Sequence, residues 1–129
     1  MYVGQNYPNS AVYALNSKVG VKNWNARPGA LFTGLVLAAD GFVYAGTRNG
    51  ILYVINEKTG ALDVESRLKT EKSRTGLSSP VISTEGTIYC GSGNKVVAIR
   101  TGSPGPAAGP WPMFGRDSRH TGRAVPLSD

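Results

Sequence analysis

Short apolar runs led by glycine recur along this chain. "GFVYAGT" (41–47) and "GTIYCGS" (86–92) each follow an acid–glycine pair, Asp40-Gly41 and Glu85-Gly86, a tight-turn signal that feeds a strand. "ILYVIN" (51–56) and "KVVAIR" (95–100) follow Asn49-Gly50 and Gly93-Asn94, a second pair of turn signals. "GLVLAAD" (34–40) and "SSPVISTE" (78–85) run into the acid–glycine turns, while "VKNWNAR" (21–27) and "LDVESRL" (62–68) come after Gly20 and Gly60. The pattern predicts about ten short strands, four to a unit, made antiparallel by the shortness of their connections. Helix is expected for at most a turn or two.

Clean alternation of apolar and polar positions is missing. In the Tyr-containing runs Val43, Ala45, Ile88 and Cys90 fall on one face, and Tyr44 and Tyr89 on the other. An antiparallel sheet with one wet face alternates more sharply. Apolar groups on both faces therefore predict sheets packed on sheets.

The units repeat. Tyr2-Val3-Gly4, Tyr44-Ala45-Gly46 and Tyr89-Cys90-Gly91 lie 42 and 45 residues apart. "VYALN" from Val12, "LYVIN" from Leu52 and "VVAIR" from Val96 keep the same order, as do Thr33-Gly34, Thr75-Gly76 and Thr121-Gly122. Three landmarks in one order define units near 2–34, 44–76 and 89–122. A repeat of this length, with four strands packed between neighbours, is the signature of a β-propeller blade. The expected fold is all-β: about three four-stranded antiparallel blades, forming a partial propeller or a half-ring completed by a second chain.

Composition narrows the field. The chain has 129 residues, enough for one domain with a modest core, and its 17 Gly and 8 Pro with 40% hydrophobic residues suit turn-rich β-structure. One cysteine, Cys90, excludes an internal disulfide and a multi-cysteine metal site. No apolar run reaches membrane-spanning length, and "MYVGQNYPNS" lacks the basic start and apolar stretch of a signal peptide. A net charge of +6 comes mostly from scattered residues, with loose clusters at Arg67-Lys69-Lys72-Arg74 and Arg116-Arg119-His120-Arg123. Neither interleaves aromatics with its charge, which argues against nucleic acid as a partner. Arg116, Arg119, His120 and Arg123 are the candidate contacts for any polyanion.

"YALNSKVGVKNW" (13–24) carries a family resemblance. It is similar to the tryptophan-docking motif of pyrroloquinoline-quinone-like repeats, which runs Ala-x-Asp-x3-Gly-x3-Trp. Ala14, Gly20 and Trp24 match at that spacing, with Asn16 where Asp is usual. A second copy keeps Asn56 and Gly60 but has Val54 and Val64 at the Ala and Trp positions. "DGFVYAGTRNGILYVINEKTG" (40–60) resembles the same family, and "PWPMFGRDSRHTGR" (110–123) resembles a segment found beside such propellers. The resemblance covers residues 1–102 and the motif at 110–123. It implies a propeller fold, relatives that are usually periplasmic or exported, and two quite different uses. One is the cofactor-free scaffold lipoprotein of the outer-membrane barrel-assembly machine. The other is the quinoprotein dehydrogenases, which hold a quinone beside a Cys-Cys ring with calcium and a catalytic Asp.

The repeat residues read as scaffold. Gly46 and Gly91, like Gly4, are expected where strands approach closely; Gly20 and Gly60 suit positive φ in outer hairpins; Asn16 and Asn56 can bond their own turns. Trp24 should lie between blades. Tyr44 and Tyr89, in one repeated slot, should pack in the core, as should Cys90, which matches Ala45 in the repeat. His120 stands where Phe32 and Arg74 stand in the other units, without a placed partner, so no catalytic residue is expected. Nor is a metal or cofactor site: a single cysteine cannot form the quinoprotein ring. Residues 103–110 read as a Gly/Pro/Ala linker, and the 111–129 segment, led by Trp111, should close the last blade or pair with a neighbouring chain.

These readings favour a non-enzymatic propeller module that scaffolds protein–protein contacts within a larger bacterial protein. The alternatives are a fragment of a quinoprotein dehydrogenase and a sensor domain of a receptor or kinase. Three units are fewer than known propeller rings contain. The chain is thus expected to be a piece of a longer propeller, or a half-ring whose homodimer makes six blades, residues 121–127 of one copy completing the first blade of the other.

Overall fold

The computed structural model describes residues 1–6, 9–28, 32–69, 76–109 and 112–114. Ten strands and no helix lie among them. They are β1 (Tyr2–Gln5), β2 (Ala11–Leu15), β3 (Lys22–Ala26), β4 (Phe32–Leu37), β5 (Phe42–Thr47), β6 (Ile51–Asn56), β7 (Leu62–Lys69), β8 (Val81–Ile82), β9 (Thr87–Ser92) and β10 (Lys95–Arg100). All pairings are antiparallel, giving three sheets in the orders β1-β2-β3, β4-β5-β6-β7 and β8-β9-β10. The uniform four strands per unit expected from the repeat occur once, in the middle sheet. Among the described residues each flanking sheet has three, and β4 and β8 each pair with the strands of the unit that follows them.

The repeat is nonetheless a repeat of register. Tyr2 faces Ala14, Tyr44 faces Val54 and Tyr89 faces Ala98 across their ladders. Gly4 faces Val12, Gly46 faces Leu52 and Gly91 faces Val96. Partners opposite one another share a face of the sheet. Each sheet thus has one face, its tyrosine face, carrying Tyr2, Tyr44 or Tyr89, and a reverse face carrying Val3 with Tyr13, Ala45 with Tyr53, or Cys90 with Val97.

Outer hairpins are fixed by one asparagine each. The Asn16 amide oxygen accepts from the backbone N–H of Lys18 at 2.9 Å, and that of Asn56 accepts from Lys58 and Thr59 at 3.0 and 3.1 Å. Gly20 and Gly60 then turn the chain at φ of 70° and 73°, where a side chain is strained.

Two apolar layers separate the three sheets. Val12, Ala14, Trp24 and Ala26 of the first meet Phe32, Val43, Ala45 and Ile55 of the second. Val36, Tyr44, Leu52 and Val54 on the other face of the second meet Ile82, Ile88 and Cys90 of the third. The middle sheet is therefore buried on both faces, as the lack of alternation in "FVYAG" implies. The segment leading into β8 approaches the middle sheet closely at Gly34 and Gly46: a Cβ on Gly34 would stand 2.8 Å from that of Ser79, and one on Gly46 3.1 Å from the Pro80 ring.

Expectation and structure part at the "TIYCG" strand. Ile88 and Cys90 are buried, but Tyr89 is exposed: among the described residues no sheet covers the tyrosine face of the third. After residue 100 the chain returns to the middle sheet. The stretch expected as a linker is bonded along part of its length: Ser103 is buried, Thr101 Oγ1 donates to the Gly86 carbonyl at 2.7 Å, and the Ala39 N–H donates to the Gly105 carbonyl at 3.0 Å. The Ala107 N–H donates to the Leu37 carbonyl at 2.9 Å, and the Leu37 N–H donates to the Pro112 carbonyl at 2.8 Å. Met113 bridges Val36 and is buried. Pro112 and Met113 thus lie along β4 of the middle sheet, and the rest of the 111–129 segment beyond Phe114 lies outside the described residues. The reason is physical: β4 is an edge strand whose unpaired N–H and C=O groups need partners.

Candidate interaction surface

Three places could carry function: the junction around Trp24, a polar cleft between the second and third sheets, and the outer faces of the stack.

Trp24 projects from β3 toward the hairpin that joins β6 to β7. Its Nε1–H donates to the Glu57 carbonyl at 2.8 Å, and its ring lies so near Gly60 that a Cβ there would stand 2.7 Å from it. Tyr2 packs against the indole with ring centroids 5.7 Å apart. Burial, and then the Glu57 carboxylate, push the Tyr2 phenol above its ordinary range. The indole's bond to Glu57 and its contact with Gly60 link the first sheet to the second, so the chemistry of this junction is that of a joint.

Asp40, Phe42, Tyr44, Val54, Asp63, Arg100, Thr101 and Gly102 line a cleft of about 410 Å³. The Tyr44 hydroxyl donates to Asp40 Oδ2 at 2.9 Å, and the Phe42 N–H donates to Asp40 Oδ1 at 3.1 Å. Desolvation raises the Tyr44 phenol far above the usual tyrosine value. The hydrogen bond to Asp40 and its charge add to that, while the Thr101 hydroxyl partly opposes it. Tyr44 is thus a proton donor held in place, with no tendency to ionise near neutrality. Sequence reading assigns Asp40 to its turn only. The signal for more was the spacing of four between Asp40 and Tyr44, repeated in Glu85 and Tyr89, which carries a turn acid back to the tyrosine beyond it.

The outer faces are apolar and open. On the third sheet Val96 and Tyr89 are exposed, and with Val81, Ser78, Ser79, Gly91 and the exposed Phe114 they border a shallow groove of about 480 Å³. At the first sheet Met1 and Val3 are exposed on the reverse face, and Val19 and Val21 are exposed in the hairpin between β2 and β3. Scattered single apolar residues on a surface are ordinary, but contiguous ones on a sheet face mark contact sites.

Of the residues picked from sequence, Ala14, Trp24 and Tyr44 are buried at the sheet junctions. Asn16, Gly20, Asn56 and Gly60 form the outer hairpins, and Gly46 and Gly91 lie in β5 and β9. Trp111, Arg116, Arg119, His120 and Arg123 lie outside the described residues, as does the other basic cluster's Lys72-to-Arg74 part. Burial alone pushes the Cys90 thiol upward, the opposite of what a nucleophile needs. Among the described residues no three His, Cys, Asp or Glu side chains converge to hold a metal, and no helix is long and apolar enough to cross a membrane. No protein-family model matches the chain, and no characterised protein matches its sequence.

Proposed function

We propose that this chain is a non-enzymatic β-propeller repeat module, of the pyrroloquinoline-quinone-like type, that works as a protein–protein interaction scaffold. The reading is carried by one observation: the tyrosine face of the third sheet presents Tyr89 and Val96 to solvent beside the exposed Phe114. Exposed aromatic and aliphatic side chains on a flat, backbone-bonded platform are what a partner protein can bury with little ordering cost. The repeat register and the lodging of Trp24 against Gly60 support the propeller part of the reading.

A photoreactive residue at position 96, compared with one at the exposed hairpin position 18, tests it in an extract of the source cells. A protein adduct specific to position 96 is expected; equal or absent labelling at the two positions would defeat the scaffold reading. Titration with pyrroloquinoline quinone and calcium addresses the dehydrogenase alternative. No saturable absorbance change is expected, and a saturable one would favour that alternative.

A further inference from the structure

The two outer faces of the stack are the two halves of a joint that the chain already makes twice. At each internal joint a tyrosine face meets the reverse face of the following sheet. Tyr44 is 6% exposed and Leu52 0% where they meet the third sheet, whereas their register equivalents Tyr89 and Val96 are 42% and 77% exposed. On the reverse side, Ala45 and Val43 are each 0% exposed where they meet the first sheet, whereas their equivalents Val3 and Met1 are 42% and 63% exposed. Ala98 is exposed where Ala14 and Val54 are buried. These slots are dry inside the chain and wet at its two outer faces, although Ala11, on the same reverse face as Val3, is buried.

We propose that the tyrosine face of the third sheet docks head-to-tail on the reverse face of the first sheet of a second copy of this chain. The occupant is argued from the molecule: what covers such a tyrosine face, both times it is covered, is a sheet with a small aliphatic or thiol side chain opposite it. Val3 supplies that residue on the first sheet, as Ala45 and Cys90 do on the second and third. The joint is heterologous, with different surfaces from the two copies, so it generates a closed ring if the rotation between copies permits and an open series otherwise. In sequence terms, Val96 of one copy takes the place of Leu52, and Val3 of the other takes the place of Cys90; Leu52 and Cys90 belong to one buried cluster, as do their counterparts Val12 and Ala45. The proposal rests on the interaction-module reading and names its partner.

Thiol cross-linking in the full chain tests it. With Cys90 replaced by Ala, Val96→Cys and Val3→Cys each provide a single thiol at an exposed position, so neither should disturb folding. A short bifunctional thiol reagent should give a covalent dimer when the two variants are mixed, and none with either alone. A dimer from either variant alone would show an isologous contact and overturn the proposal. No dimer at any concentration would also overturn it. In that case the photoreactive probe at position 96 separates the causes: an adduct with a different protein leaves the scaffold reading standing without self-docking, and no adduct removes both.

Discussion

Trp24 occupies the space that a side chain at residue 60 would need. The indole ring would lie 2.7 Å from a Cβ on Gly60, and its Nε1–H donates to the Glu57 carbonyl at 2.8 Å, two links from one side chain to one hairpin of the next sheet.

That contact makes Gly60 and its counterpart Gly20 unequal. Both have positive φ, 73° and 70°, but a Cβ on Gly20 meets nothing within 4 Å. Gly20→Ala should therefore cost only the left-handed penalty of about 1–2 kcal/mol. Gly60→Ala should cost more, since the indole must also move. In a Trp24→Ala background the Gly60→Ala cost should fall to that of Gly20→Ala. Urea denaturation of the four variants provides the double-mutant cycle; equal costs in both backgrounds would deny the contact.

Truncating the indole itself separates packing from hydrogen bonding. Trp24→Ala should destabilise by about 3–5 kcal/mol, the range for large aromatic deletions from a core. Trp24→Phe retains most of the ring area and loses the bond to Glu57, so a large part of the loss should be recovered. An unchanged melting temperature for Trp24→Ala would show that the first sheet is not held through this residue.

Tyr44 sets an alkaline limit. The folded protein holds its phenolic proton more tightly than the unfolded chain does, chiefly through desolvation and then the Asp40 bond. Its contribution is fully present below about pH 10, the ordinary tyrosine value, and is lost as pH rises above it, because only the unfolded chain then ionises. Stability should fall with pH in that window, and Tyr44→Phe should flatten the fall. Tyr2, also raised, should leave some slope behind. Denaturant midpoints measured between pH 8 and 11 would check both points.

Cys90 should be slow to react. It is buried and its thiol is pushed upward by desolvation, so thiolate is scarce where reagents need it. A disulfide dye at pH 8 should label the native protein far more slowly than the urea-unfolded chain. Labelling at equal rates would place the thiol at the surface.

Met113 should matter although it lies beyond the last strand. It is buried in the layer between the second and third sheets and bridges Val36. Met113→Ala should cost about 2–5 kcal/mol, as core methionine deletions do. A loss under half a kilocalorie would show that the segment does not contribute to that layer.

How far these features can be read from sequence differs by kind. The all-β architecture and the antiparallel sheets are legible in the acid–glycine and Asn-Gly turns and in the strands between them. The burial of both faces of the middle sheet is legible in adjacent apolar residues such as Val43 and Tyr44. The repeat identifies the slot of Tyr89 but not its exposure, because exposure depends on what packs over a slot, which the residue type does not record. The backbone bonding of Gly105, Ala107 and Pro112 is not legible at all. These bonds, to Leu37 and Ala39, are between backbone groups, which leave no mark on residue type. The Asp40–Tyr44 bond stands between these cases, visible as a spacing but easily taken for turn chemistry alone.

The stitching of that late segment to β4 bears on how the chain is made. Val36 meets Met113, and Leu37 meets Pro112, so the edge of the middle sheet is completed by residues more than 70 positions downstream. Contacts of such separation are slow to form, since the entropy of the intervening loop is lost before they repay it. On a ribosome, the three upstream strands β1 to β3 and the hairpins of the middle sheet can all form while the edge of β4 is still bare. Between that moment and the arrival of Met113, the nascent chain carries an open edge on its central sheet, and this interval is when it is most exposed to mispairing with another chain.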